Sequence, residues 1–430
     1  MTSFDGVARR LGRVARGVTL AARTVVPVDT NPVPADWSHV TKVDPEDAKK
    51  LPLLYPLYLR HTSAVSVGGS ADVTPRNTEE TFELLGPASV PVFHEPSGPR
   101  HVTLRTREQA DLLAIPEVLN GDSEALVGQL GEATEYVREE MVPDLLADRT
   151  PWLPDFAVEA LADFATSWLL ADAIFEAYVI QNPDSAAARE ANVTETDLLT
   201  PRESKQRAMA AERHLGSELV YLEYSGTYGG DDAAETLATI SEGLTWSRLW
   251  YGGGIDSRER ATAMLDAGAD AIVVGDAFHR VADEEAELCE RAAEDLGPAA
   301  SASAVREWVG ENVAVADSHA AAYLATIPSV LHPERVAERY LTATVRTWLR
   351  LRELVEDGAS VRASSTGQSE NGLDLGRTLG DDASDELGSD DAELVRRCLL
   401  ALVADRSDAD GLSSLDDVPT DHFALSGSSL

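Results

Sequence analysis

Glu223, Ser225, Gly226 and Thr227 follow directly on Leu219, Val220 and Leu222. A carboxylate, hydroxyls and bare backbone therefore converge at the end of a run that reads as a buried strand. Two further apolar runs repeat the design. Arg248 to Asp256 (RLWYGGGID) breaks into Gly252, Gly253 and Gly254, and Ala269 to Phe278 (ADAIVVGDAF) ends on Gly275 and Asp276. Glycine at the C-terminal end of a strand leaves backbone N–H groups free to cradle a phosphate without help from lysine. Ser225, Gly226, Gly253, Gly254, Gly275 and Asp276 are thus candidate phosphate contacts, with Glu223 the candidate general base. Near the start, Trp37 to Asp47 (WSHVTKVDPED) reads as a short strand broken at Pro45. Lys42 and Asp44 share one of its faces, and Thr41 and Val43 the other. A lysine beside a carboxylate suits an anion and a metal ion bound together, and the Ser70 hydroxyl, after Gly68 and Gly69, adds a donor within reach of a cation. A salt-bridged strand end is the plain alternative. Two anion sites with a carboxylate between them imply group transfer rather than isomerisation.

Eight strand-like runs alternate with helical ones, which predicts an α/β fold, a modified TIM (β/α)8 barrel. After the run at 37–47 come Ser63 to Thr74, Val90 to Pro99, Asp111 to Asn120 and Ala177 to Gln181, then the three glycine-ended strands. His94 and Glu95 are read as an exposed end of the third strand, since no third ligand is spaced for a metal. Thr200, Pro201 and Glu203 form a helix-capping signature. Residues 151–185 carry an unusually apolar helix with Phe156, Phe164, Trp168 and Leu169, expected at a subunit interface or an extra core contact, with a lipid-facing patch as the alternative. The expected divisions are an N-terminal extension over 1–36, the barrel over 37–285, a helical appendage over 286–356, a disordered linker over 357–391 rich in Gly, Ser and Asp, and a short helix with an acidic tail over 392–430. Within the extension, Phe4, Val7, Leu11, Val14 and Val18 share a helical face opposite Arg9, Arg13 and Arg16. That pattern suits either packing across the barrel bottom or docking on an anionic membrane.

Composition narrows the partners. The 74 acidic side chains against 36 Lys and Arg give a formal charge of -38, which argues against a nucleic-acid surface. Lys42, Lys49, Lys50 and Lys205 are the only lysines. Strong acidity with scarce lysine points to a halophilic cytoplasm, where salt screens dense carboxylates. The two cysteines, Cys289 and Cys398, form no disulfide framework or zinc spacing. No apolar run is long enough to span a bilayer, so the chain is expected to be cytoplasmic, with room left for peripheral membrane contact and for a homo-oligomer.

At these residues the chain resembles the geranylgeranylglyceryl phosphate synthases and their heptaprenylglyceryl phosphate synthase relatives. The similarity lies in HVTKVDP (His39 to Pro45), VGGS (Val67 to Ser70), IPEVLN (Ile115 to Asn120), NPDS (Asn182 to Ser185), TETDL (Thr194 to Leu198), YLEYSGTYG (Tyr221 to Gly229), YGGGI (Tyr251 to Ile255) and VVGDA (Val273 to Ala277). The resemblance implies a Mg2+-dependent prenyltransferase that joins a prenyl diphosphate to sn-glycerol 1-phosphate, the first ether bond of archaeal-type lipids. It implies Asp44 and Ser70 as magnesium ligands and Lys42 as a contact to the phosphate-bearing substrate. Tyr221, Leu222, Glu223, Tyr224, Ser225, Gly226, Gly254, Gly275 and Asp276 would hold glycerol phosphate, and Glu223 would take the proton from the glycerol hydroxyl. Two departures stand out. The family's usual asparagine after the last strand's glycine is Asp276 here, and a tryptophan that often closes the prenyl groove in C20-specific members has Ala133 as its nearest counterpart, which predicts a groove open to chains longer than C20. A phosphosugar isomerase or aldolase, which needs neither Asp44 with Ser70 nor magnesium, and a non-catalytic paralogue that binds lipid precursors are the competing classes.

Overall fold

A computed structural model describes residues 29–69, 71–143, 155–356, 373–406, 418–427 and 430. Eight parallel strands close into one barrel in sequence order: β1 His39–Val43, β2 Ala64–Val67, β3 Val92–His94, β4 Leu112–Val118, β5 Ile174–Ile180, β6 Leu219–Glu223, β7 Arg248–Gly252 and β8 Ala271–Val274. β1 closes the ring against β8, with Val40 beside Val273. Period-two alternation sorts each strand. Val40, Phe93, Tyr178, Tyr221, Trp250 and Val273 belong to the inner core, while Val43, Val179, Leu222, Tyr251 and Ile272 pack outward under the helices. Trp37 stacks on Phe93 at 6.0 Å and leans on Trp250 at 6.2 Å, so with Val33 it plugs the N-terminal end. Chemistry is thereby confined to the opposite mouth.

Local signals behave as the sequence predicts where their partners are close in the chain. Thr200 caps the helix Pro201–Ala210 and exchanges a reciprocal bond with Glu203. The fifth strand starts earlier than its apolar pattern suggests, at Ile174 rather than Ala177, and so takes in Glu176. The proposed helix near the N-terminus lies outside the described residues.

The C-terminal half differs most from expectation. The helix Asp276–Asp295 runs unbroken through the expected boundary at 285. The helices beyond it share the barrel's outer core instead of standing apart. Thr41 of β1 hydrogen-bonds the Tyr323 hydroxyl at 2.7 Å, and His39 reaches Thr326 at 3.0 Å. Glu285 accepts from Leu53 N–H at 2.8 Å and from the hydroxyls of Tyr58 and Thr344 at 3.0 Å. The expected linker over 357–391 is also corrected. Residues 357–372 lie outside the described part, but Leu375–Leu379 and Asp381–Ser384 are short helices and Ser389–Arg406 a longer one. Leu373, Leu375, Leu379 and Ala383 are buried, so a few well-spaced apolar side chains outweigh a polar composition. No helix among the described residues is long and apolar enough to cross a membrane.

Candidate active site

A cavity of about 760 Å³ opens at the C-terminal mouth of the barrel, lined by Lys42, Asp44, Glu95, Tyr221, Glu223, Ser225, Gly226, Gly253, Gly254, Gly275 and Asp276 among others. Most of the site residues expected from the sequence therefore meet at one place. Leu222 and Tyr224 do not. Both pack in the outer core behind β6, which the alternation of the strand already demands. Tyr224 leans against Tyr251, with ring centroids 6.0 Å apart, and a Cβ on Gly253 would fall 2.4 Å from its own Cβ. Its ring backs the glycine turn and lies outside the cavity lining. Ser70 lies outside the described residues.

One end of the cavity is built from backbone. Gly254 has φ +55, and a Cβ there would stand 2.7 Å from the Tyr228 amide nitrogen, so only glycine gives this turn its close approach. Arg260 donates to the Gly254 carbonyl at 3.0 Å and lies over the Tyr228 ring at 4.8 Å. Glycine at 252 serves a different purpose. A Cβ would sit 1.8 Å from the Tyr221 hydroxyl, so the bare backbone makes room for that ring, which stacks on Tyr178 at 4.6 Å. Gly275 leads into the helix Asp276–Asp295, whose first N–H groups face the cavity end. The Asp276 carboxylate is turned to Lys49, 2.6 Å away. Burial works to raise its pKa, but Lys49 outweighs that and holds it below the usual carboxylate range.

The other end is ionic. Lys42 donates to Glu95 at 2.7 Å. Glu95 also accepts from Ser66 at 2.7 Å and from the Tyr178 hydroxyl. It is buried, not an exposed strand end, and its sequence neighbourhood gave no sign of a lysine 53 residues away. Burial opposes the charge on both partners; Glu95, Asp44 and Glu223 nevertheless keep Lys42 above its ordinary range, and Lys42 keeps Glu95 below its own. Glu176 lies deeper in the barrel with both carboxyl oxygens unpartnered, and burial together with the charge of Glu95 pushes its pKa well up. Its burial under the floor disfavours the charged form, and the sequence did not single it out. Glu223, 3% exposed, projects between the two ends. Burial raises its pKa against the pull of Lys42 and of the Ser225 hydroxyl. A carboxyl shifted toward neutrality makes a stronger base.

Asp44 is oriented from behind by His279. The Asp44 N–H donates to His279 Nε2 at 3.2 Å, and His279 Nδ1 donates to the Lys50 carbonyl at 2.9 Å, which fixes a neutral ring whose pKa burial lowers. Asp44 and Glu46 converge on Gly69, where a Cβ would lie 3.2 Å and 3.1 Å from one oxygen of each. No cluster of three or more His, Cys, Asp or Glu side chains able to hold a metal occurs among the described residues. Two carboxylates with a phosphate-bearing ligand are nonetheless the donor set that Mg2+ favours.

An apolar groove adjoins the cavity at Pro96, Ser97 and Pro116 and continues past Val102, Leu113, Ile115, Ala133, Tyr136 and Met141. Its outer wall includes Leu169 and Leu170 of the helix Asp155–Asp172. That apolar helix has a double character, because Phe164 and Trp168 on its far side are 66% and 56% exposed.

The profile of the PcrB family matches residues 34–292. Among curated proteins, the geranylgeranylglyceryl phosphate synthase of Haloquadratum walsbyi is 33% identical over 249 residues, 57% of this chain and 88% of that protein. Its namesake from Methanocella arvoryzae is 32% identical over 248 residues, 57% of this chain and 91% of that one. Among solved structures, the (S)-3-O-geranylgeranylglyceryl phosphate synthase of Thermoplasma acidophilum, in complex with substrate sn-glycerol-1-phosphate, is 23% identical with a TM-score of 0.41, over 57% of this chain and 87% of that chain.

Proposed function

Since the chain belongs to the PcrB family, we propose that it transfers a prenyl group from a prenyl diphosphate to a hydroxyl of sn-glycerol 1-phosphate, forming the ether bond of an archaeal-type lipid. The observation that carries this is Glu223 inside a cavity that has a glycine-built end, an ionic end and an adjoining apolar groove. A phosphosugar isomerase or aldolase has no use for such a groove.

Glycerol phosphate sits with its phosphate against the backbone N–H groups of Gly226, Gly254 and the Gly275–Asp276 helix start, beside Arg260. Tyr221 and Ser225 flank its hydroxyls. The prenyl tail lies in the groove by Ala133 and Leu169, and its diphosphate faces Lys42 and Asp44. Asp44 and Glu46 would hold Mg2+, which when bound supplies charge stabilisation to the departing diphosphate. Glu223 accepts the proton of the glycerol hydroxyl as that oxygen forms its bond to prenyl C1, while the C1–O bond breaks and its electron pair leaves with the diphosphate. Lys42, pinned by Glu95, keeps two N–H groups for the ligand.

Labelled prenyl diphosphate, sn-glycerol 1-phosphate and Mg2+ give a direct assay. Glu223→Gln is expected to lower turnover by roughly 10²–10⁴-fold while leaving glycerol phosphate binding within a few-fold. Turnover at the parent rate removes Glu223 as the base.

A further inference from the structure

Residues 418–427 lie far beyond the stretch that the family profile matches, which ends at 292, yet they touch the loop that follows β1. That loop carries Asp44, Glu46 and Lys49 along the cavity wall. The barrel holds its inner side: His279 bonds the backbone at Asp44 and Lys50, and Glu285 takes the Leu53 N–H. The Ala71 N–H holds the Glu46 carboxylate at 3.2 Å and Asp276 holds Lys49, while the backbone at Leu51 and the Lys50 side chain are held by the C-terminal segment. The Leu51 N–H donates to the His422 carbonyl at 2.8 Å, Leu51 pairs with Phe423 in an isolated parallel bridge, and Lys50 Nζ donates to the Asp421 carbonyl at 2.6 Å. Phe423 is 2% exposed and leans on the Tyr55 ring at 6.2 Å. His422 stands 3.3 Å from Glu80 on the helix Pro75–Leu85, which moors the segment to the barrel's second helix.

We propose that residues 418–427 act as a positioning strap, with Phe423 as its anchor, that keeps Asp44, Glu46 and Lys49 turned into the cavity and so sets the affinity for the diphosphate-bearing substrate. A loop whose outer backbone groups are unbonded samples many conformations, and only some of them present all three side chains to a ligand. With the strap in place that ordering precedes binding. The glycerol phosphate end is built on β6, β7 and β8 and meets the loop through the Lys49–Asp276 pair, whose Lys49 side chain is partly exposed, so it responds far less. The proposal rests on the prenyl-transfer function only for the identity of the ligand, not for the mechanics of the loop.

Phe423→Ala in the full chain tests it, with Phe423→Leu as the conservative rescue. Val305→Ala, a buried truncation in the helix Ala302–Asn312 away from the loop, is the control. Amide hydrogen exchange over residues 44–51 is expected to accelerate about tenfold in Phe423→Ala and to stay at the parent rate in Val305→Ala. Binding of inorganic pyrophosphate with Mg2+ is expected to weaken about five- to tenfold, with the sn-glycerol 1-phosphate dissociation constant within twofold and Phe423→Leu near the parent. Parent exchange rates in Phe423→Ala, or equal weakening of both ligands, overturn the strap. A parent chain that ignores pyrophosphate refutes the prenyl-transfer function instead, and the exchange result still decides the strap. His422→Ala removes only the mooring to Glu80. It gives a smaller change in the same direction where Phe423→Ala does not fold, and no change in exchange there overturns the proposal.

Discussion

Replacing Glu95 by Gln removes a charge and almost no volume, which makes it the sharpest probe of the ionic end. One Glu95 oxygen serves Lys42 and the Tyr178 hydroxyl, and the other serves Ser66. A glutamine that keeps its oxygen toward Lys42 turns its NH2 to Ser66, whose hydroxyl can accept, so the geometry survives. The direct attraction at 2.7 Å is about 6 kcal/mol at an effective dielectric near 20. Burying the two charges offsets most of it, and removal of one partner from a buried pair typically costs ~3–5 kcal/mol. Asp44 and Glu223 still face Lys42, so the bottom of that range applies, about 3 kcal/mol. In a chain of this size such a loss lowers Tm by roughly 3 °C. The kinetic effect has a definite sign. Burial, then Glu95, raises the Glu223 pKa, and Lys42 lowers it. Loss of the Glu95 charge therefore lowers that pKa, and the acid limb of the kcat/KM profile moves to lower pH. Melting curves and a pH–rate profile of Glu95→Gln decide it. A Tm indistinguishable from the parent's, or an acid limb that stays put or moves up, refutes Glu95 as the counter-ion that ties Lys42 to the base.

Asp276→Asn removes a carboxylate beside the phosphate end. Its ion pair with Lys49 is largely exposed and contributes at most ~1 kcal/mol, so stability should hold while the KM for sn-glycerol 1-phosphate falls by about two- to fivefold; a rise in KM contradicts the placement. Ala133→Trp fills the groove partway along its length, and product mass in a chain-length competition should shift toward shorter prenyl groups, whereas an unchanged spectrum puts the tail elsewhere. Glu285, pushed up to about 7 by burial from an ordinary 4.5, binds its proton more tightly folded than unfolded. Its contribution, about 3 kcal/mol, is complete below pH about 4.5 and lost as pH rises through about 7. The stability of the parent relative to Glu285→Gln should fall across that window in urea titrations, and a pH-independent difference excludes it.

The barrel was legible because its signals are local. Glycine follows an apolar run in YLEYSG, YGGG and VVGD, and the alternation of β1 already puts Lys42 and Asp44 on the inner face. The same alternation turns the Leu222 and Tyr224 side chains away from the cavity, a signal that was present in the sequence. Glu95 and Asp276 were illegible for another reason. Their partners lie 53 and 227 residues away, and only closure of the ring brings them together. Glu176 was hidden by a strand boundary drawn a few residues late. The segment after 372 misled because Gly, Ser and Asp dominate it, whereas burial is decided by Leu373, Leu375 and Leu379.

The cavity poses an electrostatic problem that composition sharpens. Lys42, Lys49, Arg260 and Arg280 line it, but so do Asp44, Glu46, Glu95, Glu190, Glu223, Asp256 and Asp276. Side chains alone leave it acidic within a chain that carries -38, a poor receptor for two phosphate-bearing substrates. The arrangement pairs three of these carboxylates with three of the four cations, which localises the surplus negative charge without changing it. Glu95 is spent on Lys42, Asp276 on Lys49, and Asp256 on Arg260 at 2.9 Å. Of the carboxylates left over, Asp44 and Glu46 converge on Gly69, where the proposed divalent cation would reverse the local sign. At the far end the field comes from backbone N–H groups at glycine turns, which carry no net charge and need no lysine. An acidic protein can thus hold two anions without a basic patch, and the scarcity of lysine no longer argues against phosphate chemistry.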